Sequence, residues 1–289
     1  MHYPVNVFTG KVREYDGSRP SAIAKIQVDG ELTLTDLGLA GDEQAEAKIH
    51  GGPERALCHY PREHYRHWIA EFPEQADLFV APAFGENLST EGLTEKNVYI
   101  GDIFRWGEAL IQVTQPRSPC FKLNYHFAVS DMAQLMQNSG KTGWLYRVVA
   151  GGQVSSDAPL ALVSRLSDVS VHEAGTIAWQ MPFDDDQYRR LLSAAGLSVS
   201  WSRTMQKRRL SGKIEDNRHT GKAPEDARNV SRHEQGCHRG SAADQGEGDH
   251  NIAWRNQKPG WGSGNIGSRG EVRVISLILL NRADDGPHG

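Results

Sequence analysis

The chain has 289 residues, of which 38% are hydrophobic and 24% are charged, and its formal net charge is −4 at pH 7. This balance is typical of a globular protein and provides no strong field for a polyanion, which argues against a nucleic-acid polymer as partner. The first residues lack a basic segment followed by an apolar run, so we expect no signal peptide. The longest late apolar run, residues 274–280, is far below the about 20 residues that cross a bilayer, so we expect no membrane contact.

The cysteines indicate a redox compartment. Cys58, Cys120 and Cys237 are odd in number and lie far apart in the sequence, which argues against a disulfide framework. We therefore predict a reducing, cytoplasmic location.

Residues 1–163 have the pattern of a mainly β domain. Two strands, 25–28 and 32–35, flank Asp29-Gly30, which is a strong hairpin signal. Two more strands, 98–106 and 109–114, flank Gly107-Glu108, and Gly151-Gly152 marks a further turn. Short strands at this spacing predict an all-β sandwich or barrel.

Two helices are predicted within this β domain. The first begins near Pro61, with Tyr65, Trp68 and Ile69 on one face. The second is capped by Ser130 and ends near Gly140, with Met132, Leu135 and Met136 on one face.

From about residue 165 the apolar residues recur at helical spacing. They form three short stripes, which predict a small three-helix unit: Val171, Ala174, Ala178 and Met181; Tyr188, Leu191, Leu192 and Ala195, ending at Gly196; and Trp201, Thr204 and Met205, capped by Ser198 or Ser200. Beyond Ile214 no periodic pattern continues except near residues 274–280, so residues 215–289 are predicted to be a low-order tail, either disordered or an extension without a selected function.

The segment PRSPCFKLN, residues 116–124, is the first candidate site. Its two prolines stiffen the backbone and so fix the direction of Cys120 between Arg117 and Lys122. Neighbouring cations stabilise a thiolate, the form that binds soft metals or attacks electrophiles. The alternative is a buried structural cysteine in a proline-bounded loop.

Two further segments could bind a ligand. His50-Gly51-Gly52-Pro53 is a sharp turn whose amides could approach an anion, and Arg55 after it could grip a phosphate with two hydrogen bonds. A plain surface turn with a solvated arginine is the alternative. Asn87 could bind the edge of a heterocycle or satisfy its own turn.

A zinc site is the weaker hypothesis for the histidines His59, His64 and His67. Their spacing matches neither HExxH nor a paired-cysteine pattern, so a solvated helix face is favoured. No phosphate-binding loop, dinucleotide fingerprint or GxSxG motif occurs in the sequence.

Taken in order, HGGPERALCHYPREHY, FGENL, the pair Gly101-Asp102 and PRSPCFKL resemble the signature of MOSC-domain proteins of the YiiM type. The stretch PFDDDQYRRLLSAAGLSVSWSRTMQKRR is similar to the three-helix domain that follows the barrel there. The resemblance covers residues 1–214, and the tail from Glu215 departs from it. It implies a MOSC-like β-barrel with a few inserted helices over residues 1–164, a three-helix domain over 165–214 and the tail 215–289.

The same resemblance implies a molybdenum cofactor, with Cys120 as catalytic residue and molybdenum ligand. Ser118 keeps the S-x-C spacing of related reductases, in which the serine also contacts the pterin. The other expected cofactor contacts are Ser21, Lys25, His50, Arg55, Asn87, Arg117 and Lys122.

Related enzymes reduce N-hydroxylated compounds, including hydroxylamino base analogues, to amines. The sequence shows no flavin or nicotinamide site, so a separate reductase is expected to donate electrons. A non-redox carrier of the cofactor, or of sulfur on a Cys120 persulfide, is the alternative, and a binding module with a structural Cys120 is a third. The oligomeric state is left open, with a homodimer as one option.

Overall fold

The structure is a computed structural model that describes residues 1–15, 19–45 and 51–212. The predicted tail, residues 215–289, lies outside the described residues. Among those that are described, the strands are β1 (His2–Tyr3), β2 (Val5–Gly10), β3 (Arg13–Tyr15), β4 (Arg19–Ser21), β5 (Lys25–Gln27), β6 (Glu31–Thr35), β7 (Gly38–Leu39), β8 (Leu57–His59), β9 (Leu88–Thr90), β10 (Ile103–Trp106), β11 (Ala109–Pro116), β12 (Trp144–Ala150), β13 (Gly152–Ser155) and β14 (Leu160–Ser164).

The largest sheet has nine strands in the order β1-β14-β10-β11-β12-β8-β9-β2-β5, and β8 pairs with β9 in parallel. In the described part of the chain no pairing joins the end strands β1 and β5. The fold is therefore a mixed α/β fold with an open strand order, whereas the sequence predicted a mainly β, closed barrel. Closure requires hydrogen bonds between the end strands, and within the described ranges β1 pairs with β14 and β5 with β2.

One predicted hairpin is confirmed and one is wrong. The strands around Gly107-Glu108 pair directly as β10 and β11. The strands around Asp29-Gly30 both form, but β5 pairs with β2, whereas β6 pairs with β13 and β7. Contacts with distant segments therefore override the local turn signal, and two separate sheets leave this turn.

The helices inserted in the β region are α1 (Glu63–Glu71), α2 (Lys122–His126) and α3 (Met132–Ser139). In α1 the predicted face is confirmed for Tyr65 and Trp68, but Ile69 is 38% exposed. In α3 the cap position is Asp131 instead of Ser130, and Gly140 ends the helix in the left-handed conformation as predicted. The sequence did not predict α2.

The three C-terminal helices are α4 (Val171–Trp179), α5 (Asp185–Leu192) and α6 (Val199–Ser211), so the predicted three-helix unit is confirmed. Ser170 caps α4 with a complete capping box, and Asp184 caps α5. Of the two serines proposed as the cap of α6, Ser198 holds that place and accepts from the amide of Trp201.

Two hydrophobic cores lie side by side. The larger core joins the nine-stranded sheet to α4, α5 and α6. The second is mostly aromatic and lies under α1, α2 and α3; it consists of Tyr60, Tyr65, Trp68, Phe79, Phe84, Leu123, Phe127, Met132 and Met136. This second core anchors both α2, which follows Cys120, and Phe84, which precedes Glu86.

Candidate functional site

The loop that carries Cys120 is anchored at both ends. It leaves β11 at Pro116, and the amide of Arg117 donates to the carbonyl of Gly143 at 3.1 Å. At the other end the carbonyl of Cys120 accepts from the amide of Leu123 at 3.0 Å, which starts α2. Cys120 is half-buried and forms no disulfide, and Ser118 is exposed. The loop thus presents Cys120 near the surface from fixed ends.

Arg117 turns inward from this loop toward β8. Its guanidinium hydrogen-bonds the thiol of Cys58, and its buried Nη1 has no hydrogen-bond partner among the described residues. Desolvation raises the pKa of the Cys58 thiol, and the positive charge of Arg117 opposes that rise only in part. Cys58 therefore stays a neutral thiol, and one N–H of Arg117 is left for a ligand.

A buried carboxyl group lies near Arg117. Glu86 is fully buried, and its Oε1 accepts from the hydroxyl of Tyr65 at 2.5 Å. Burial raises the pKa of Glu86 to about 7, while the Tyr65 hydrogen bond and the charge of Arg117 lower it. Its Oε2 has no partner among the described residues. Among the described residues, the site thus contains a cationic donor atom, Arg117 Nη1, and a carboxyl oxygen, Glu86 Oε2, that lack hydrogen-bond partners.

Asp42 holds together two of the residues predicted to contact the cofactor. Its Oδ1 accepts from Lys25 Nζ at 2.5 Å, and both side chains are about 5% exposed. Its Oδ2 accepts from Asn87 Nδ2 at 2.7 Å, and Asn87 Oδ1 accepts from the amide of Cys58 at 3.1 Å. The charge of Lys25 and the amide of Asn87 are thus engaged within the protein, where they fix β8 beside the site.

Ser21 and Lys122 come close to each other through Pro20. Lys122 Nζ donates to the carbonyl of Pro20 at 3.0 Å, which ties α2 to β4. Ser21, the next residue, is buried, and its hydroxyl accepts from the amide of Ile23 at 3.3 Å. These two predicted contacts thus border the Cys120 loop on the side of β4.

Arg55 faces the helical unit instead of the Cys120 loop. Its Nη2 donates to the hydroxyl of Ser200, at the start of α6, at 3.0 Å. Gly52 has the positive φ of 98° that such a turn requires, and the 3-10 turn Pro53–Arg55 follows it. His50, the other predicted contact of this segment, lies outside the described residues.

The three histidines considered for zinc have separate surroundings. His59 is fully buried between Thr90 and Tyr146, and burial lowers its pKa to about 3. His64 pairs with the buried Glu95 at 2.7 Å, whereas His67 is half-buried on α1. His59 and His64 are thus engaged in separate buried hydrogen bonds, as structural histidines are.

Reasoning from the sequence missed Glu86, Asp42 and Cys58 as parts of this site. Glu86 stood in the FGENL segment and Asp42 in the pair Gly41-Asp42, but neither has a spacing that indicates chemistry. The sequence signal of a buried carboxyl group was the position of Glu86 between the apolar residues Phe84 and Leu88, two residues from each.

Comparison with known proteins gives two domain matches. Residues 46–161 match the MOSC domain, and residues 169–212 match the YiiM-like, 3-alpha helix domain. The chain is 79% identical over 216 residues to the Escherichia coli protein YiiM, which is 75% of this chain and 96% of that protein. A crystal structure of YiiM from Escherichia coli matches with a TM-score of 0.66 at 72% identity, over 75% of this chain and 96% of that one.

The chain therefore belongs to the YiiM family of MOSC-domain proteins. A more distant relative, from Gibberella moniliformis, is named a reductase; it is 38% identical over 164 residues, which are 56% of this chain and 29% of that protein. Among the residues that the structure describes, no helix has the length and apolar character needed to span a membrane.

The residues of the Cys120 loop fit the cofactor that the MOSC domain implies. A molybdenum-pterin group carries an anionic phosphate and dithiolene, and the buried, unpartnered Nη1 of Arg117 is a donor suited to such an anion. The half-exposed sulfur of Cys120, three residues away, is a soft ligand of the kind that molybdenum takes.

Proposed function

We propose that this protein is a molybdenum-cofactor-dependent oxidoreductase that reduces N-hydroxylated compounds, such as hydroxylamino base analogues, to the amines. The observation that carries the proposal is the pairing of a half-exposed Cys120 with the buried, unpartnered Nη1 of Arg117 on one anchored loop. Membership of the YiiM family and the relative named a reductase support the redox class.

In this proposal Cys120 is the protein ligand of molybdenum, and Arg117 binds the anionic end of the cofactor. When bound, the cofactor would supply the two-electron redox and oxygen-transfer chemistry. The chain contributes orientation, because the amide of Arg117 on Gly143 and the packing of Leu123 hold the loop at both ends. We propose that Ser118, which is exposed two residues before Cys120, contacts the pterin.

The remaining predicted contacts divide into two groups. Lys122 and Ser21 border the Cys120 loop and are proposed to contact the cofactor from the β4 side. Lys25 and Asn87 are proposed to act indirectly, because Asp42 and the amide of Cys58 engage their polar atoms. Arg55 contacts Ser200, so we expect from it a smaller contribution to cofactor binding.

The electrons are proposed to come from a separate reductase. The residues assigned to the site hold no flavin or nicotinamide motif, and the reaction consumes two electrons and two protons to release an amine and water. A purified electron-transfer protein must therefore be added in any assay of turnover. Reduction of a hydroxylamine substrate that requires this addition would separate a reductase from a cofactor or sulfur carrier.

The first test replaces Cys120. We expect Cys120→Ala, made in a host that synthesises the cofactor, to lose both molybdenum and N-hydroxyl reduction. Cys58→Ala is the comparison variant: burial keeps the Cys58 thiol neutral and a neutral thiol is a poor metal ligand, so it should lose far less molybdenum than Cys120→Ala although it removes the contact with Arg117. Metal analysis, pterin analysis and activity would be measured on the same samples. Full activity in cofactor-loaded Cys120→Ala would refute the assignment.

The second test replaces Arg117 by lysine, which keeps the charge but lacks the planar fork. One lost charge-assisted hydrogen bond is worth roughly 1.5–3 kcal/mol, so we expect cofactor affinity to fall about 10- to 150-fold. Arg66→Lys, on the exposed face of α1, is the control and should keep wild-type occupancy. Equal cofactor content in Arg117→Lys and Arg66→Lys would show that Arg117 does not bind the anionic end of the cofactor.

A further inference from the structure

We propose that Ser198 is a positioning residue for the Cys120 loop, through which the C-terminal helical unit holds the site in shape. The inference rests on the proposed function, because the loop that it concerns is the proposed cofactor loop. Ser198 is fully buried at the start of α6 and lies far from Cys120 in the sequence.

Ser198 contacts the end of β11 through both its side chain and its backbone. Its hydroxyl donates to Gln115 Oε1 at 2.6 Å, and its amide donates to the carbonyl of Thr114 at 3.1 Å. Gln115 is the second-last residue of β11, and the Cys120 loop leaves the sheet directly after Pro116. The same hydroxyl accepts from the amide of Trp201 at 3.2 Å, so one side chain both caps α6 and fixes the strand end.

The start of α6 also contacts the turn at Pro53–Arg55. The carboxylate of Glu54 accepts from the amide of Val199 at 2.9 Å, and Arg55 donates to the hydroxyl of Ser200 at 3.0 Å. The hydroxyl of Thr114 in turn donates to the carbonyl of Glu54 at 2.9 Å. The start of α6 is therefore the point at which this turn and the end of β11 are joined.

These contacts give the helical unit a role in the site although none of its residues lies in the Cys120 loop. The Ser198–Gln115 hydrogen bond ties the end of β11 to α6, and loss of either partner leaves that strand end free to move. The movement starts at the strand end from which the loop departs. Loss of the Ser198 hydroxyl is thus transmitted to Cys120 as a change in loop position.

The experiment measures the rate at which iodoacetamide alkylates Cys120 in cofactor-free, full-length protein at one fixed pH. Peptide mass mapping resolves Cys120 from the other cysteines. We expect Ser198→Ala to raise the Cys120 rate about tenfold, the factor that corresponds to one net hydrogen bond of about 1.4 kcal/mol. Gln115→Met removes the acceptor at similar volume and should have the same effect, and the double variant should add nothing more.

Ser170→Ala is the matched control. Ser170 caps α4 in the same helical unit, with its hydroxyl accepting from the amide of Glu173 at 3.1 Å, but it has no hydrogen bond to β11 in the structure as described. Ser170→Ala should lower the melting temperature by an amount similar to that of Ser198→Ala, but it should leave the rate of Cys120 alkylation at its wild-type value. Equal rates in Ser198→Ala and Ser170→Ala, or an unchanged rate in Gln115→Met, would overturn the proposal. If Ser198→Ala does not fold, Gln115→Met decides the question. Because the readout needs no cofactor, a failure of the proposed reductase activity would leave this result standing.

Discussion

Glu86 and His59 are both buried, and burial moves their pKa values in opposite directions. The pKa of Glu86 rises to about 7, and that of His59 falls to about 3. Each shift disfavours the charged form, as desolvation must. Around neutral pH His59 is uncharged, whereas both the protonated and the ionised forms of Glu86 are populated. Glu86 is therefore the one of this pair whose charge changes near physiological pH.

This difference gives a prediction for stability against pH. The pKa of Glu86 is raised from 4.5 to about 7, so the folded protein keeps a proton that the unfolded chain releases between these values. Its contribution to stability is thus fully present below about pH 4.5 and is lost as the pH rises through about 7. Glu86→Gln cannot ionise and still accepts from Tyr65. We expect it to gain stability relative to wild type from about pH 5 to 8, by at most about 3 kcal/mol.

The measurement is urea unfolding of wild type and Glu86→Gln at each pH. The lowered pKa of His59 acts in the opposite direction, since its contribution is present above about pH 6.5 and lost as the pH falls toward 3. Taking the difference between the two proteins at each pH removes the His59 effect, which both share. Parallel stability curves would show that the pKa of Glu86 is the same in the folded and unfolded states and would contradict this prediction.

At the scale of elements, Gly143 connects β8 to the Cys120 loop. It lies directly before β12, its carbonyl accepts from the amide of Arg117, and its amide donates to Glu95 at 2.7 Å. Its φ is +68°, and a Cβ atom built on it would overlap the carbonyl oxygen of His59. Only glycine therefore allows the chain to pass at this point.

We expect Gly143→Ala to destabilise the protein more than the same change at Gly30. Gly30 also has a positive φ, +86°, but a Cβ atom there would meet nothing within 4 Å. Gly30→Ala should cost about 1–2 kcal/mol for the left-handed backbone alone. Gly143→Ala adds an overlap worth about 1–3 kcal/mol, and it should also displace Arg117. Thermal unfolding of both variants tests this, and equal losses would contradict the expected overlap.

The elements show where reasoning from the sequence succeeds. Helices such as α4 and α6 follow from local signals, because their caps and apolar stripes lie within one segment. The hairpin of β10 and β11 is equally local. The pairing of β5 with β2 does not follow from local signals, because the strands on the two sides of the Asp29-Gly30 turn pair with distant strands, β5 with β2 and β6 with β13. Strand pairing is decided by contacts between distant segments, which a turn signal does not contain.

At the scale of the whole molecule, the site is built from segments that are distant in the sequence. The PRSPC segment was predictable, because its prolines, cations and thiol are contiguous. Three other features of the site were not predictable: the contact of Arg117 with Cys58, the burial of Glu86 and the ion pair of Lys25 with Asp42. Each depends on which strands become neighbours. The residue types of the site could thus be predicted, but the roles of Asn87, Lys25 and Arg55 depended on their partners.

We expect residues 215–289 to be dispensable for folding and for cofactor binding. The family matches end at residue 212, and the 216-residue alignment already takes up 96% of the Escherichia coli relative, which is thus too short to have a counterpart for all of the chain. The described residues up to 212 form both hydrophobic cores and the contacts of Ser198. A chain that stops at residue 214 should therefore keep its melting temperature within a few degrees and retain its cofactor. Calorimetry and metal analysis of the truncated and full-length proteins test this. Loss of soluble expression or of molybdenum from the shorter chain would show that the apolar run at 274–280 packs on the core.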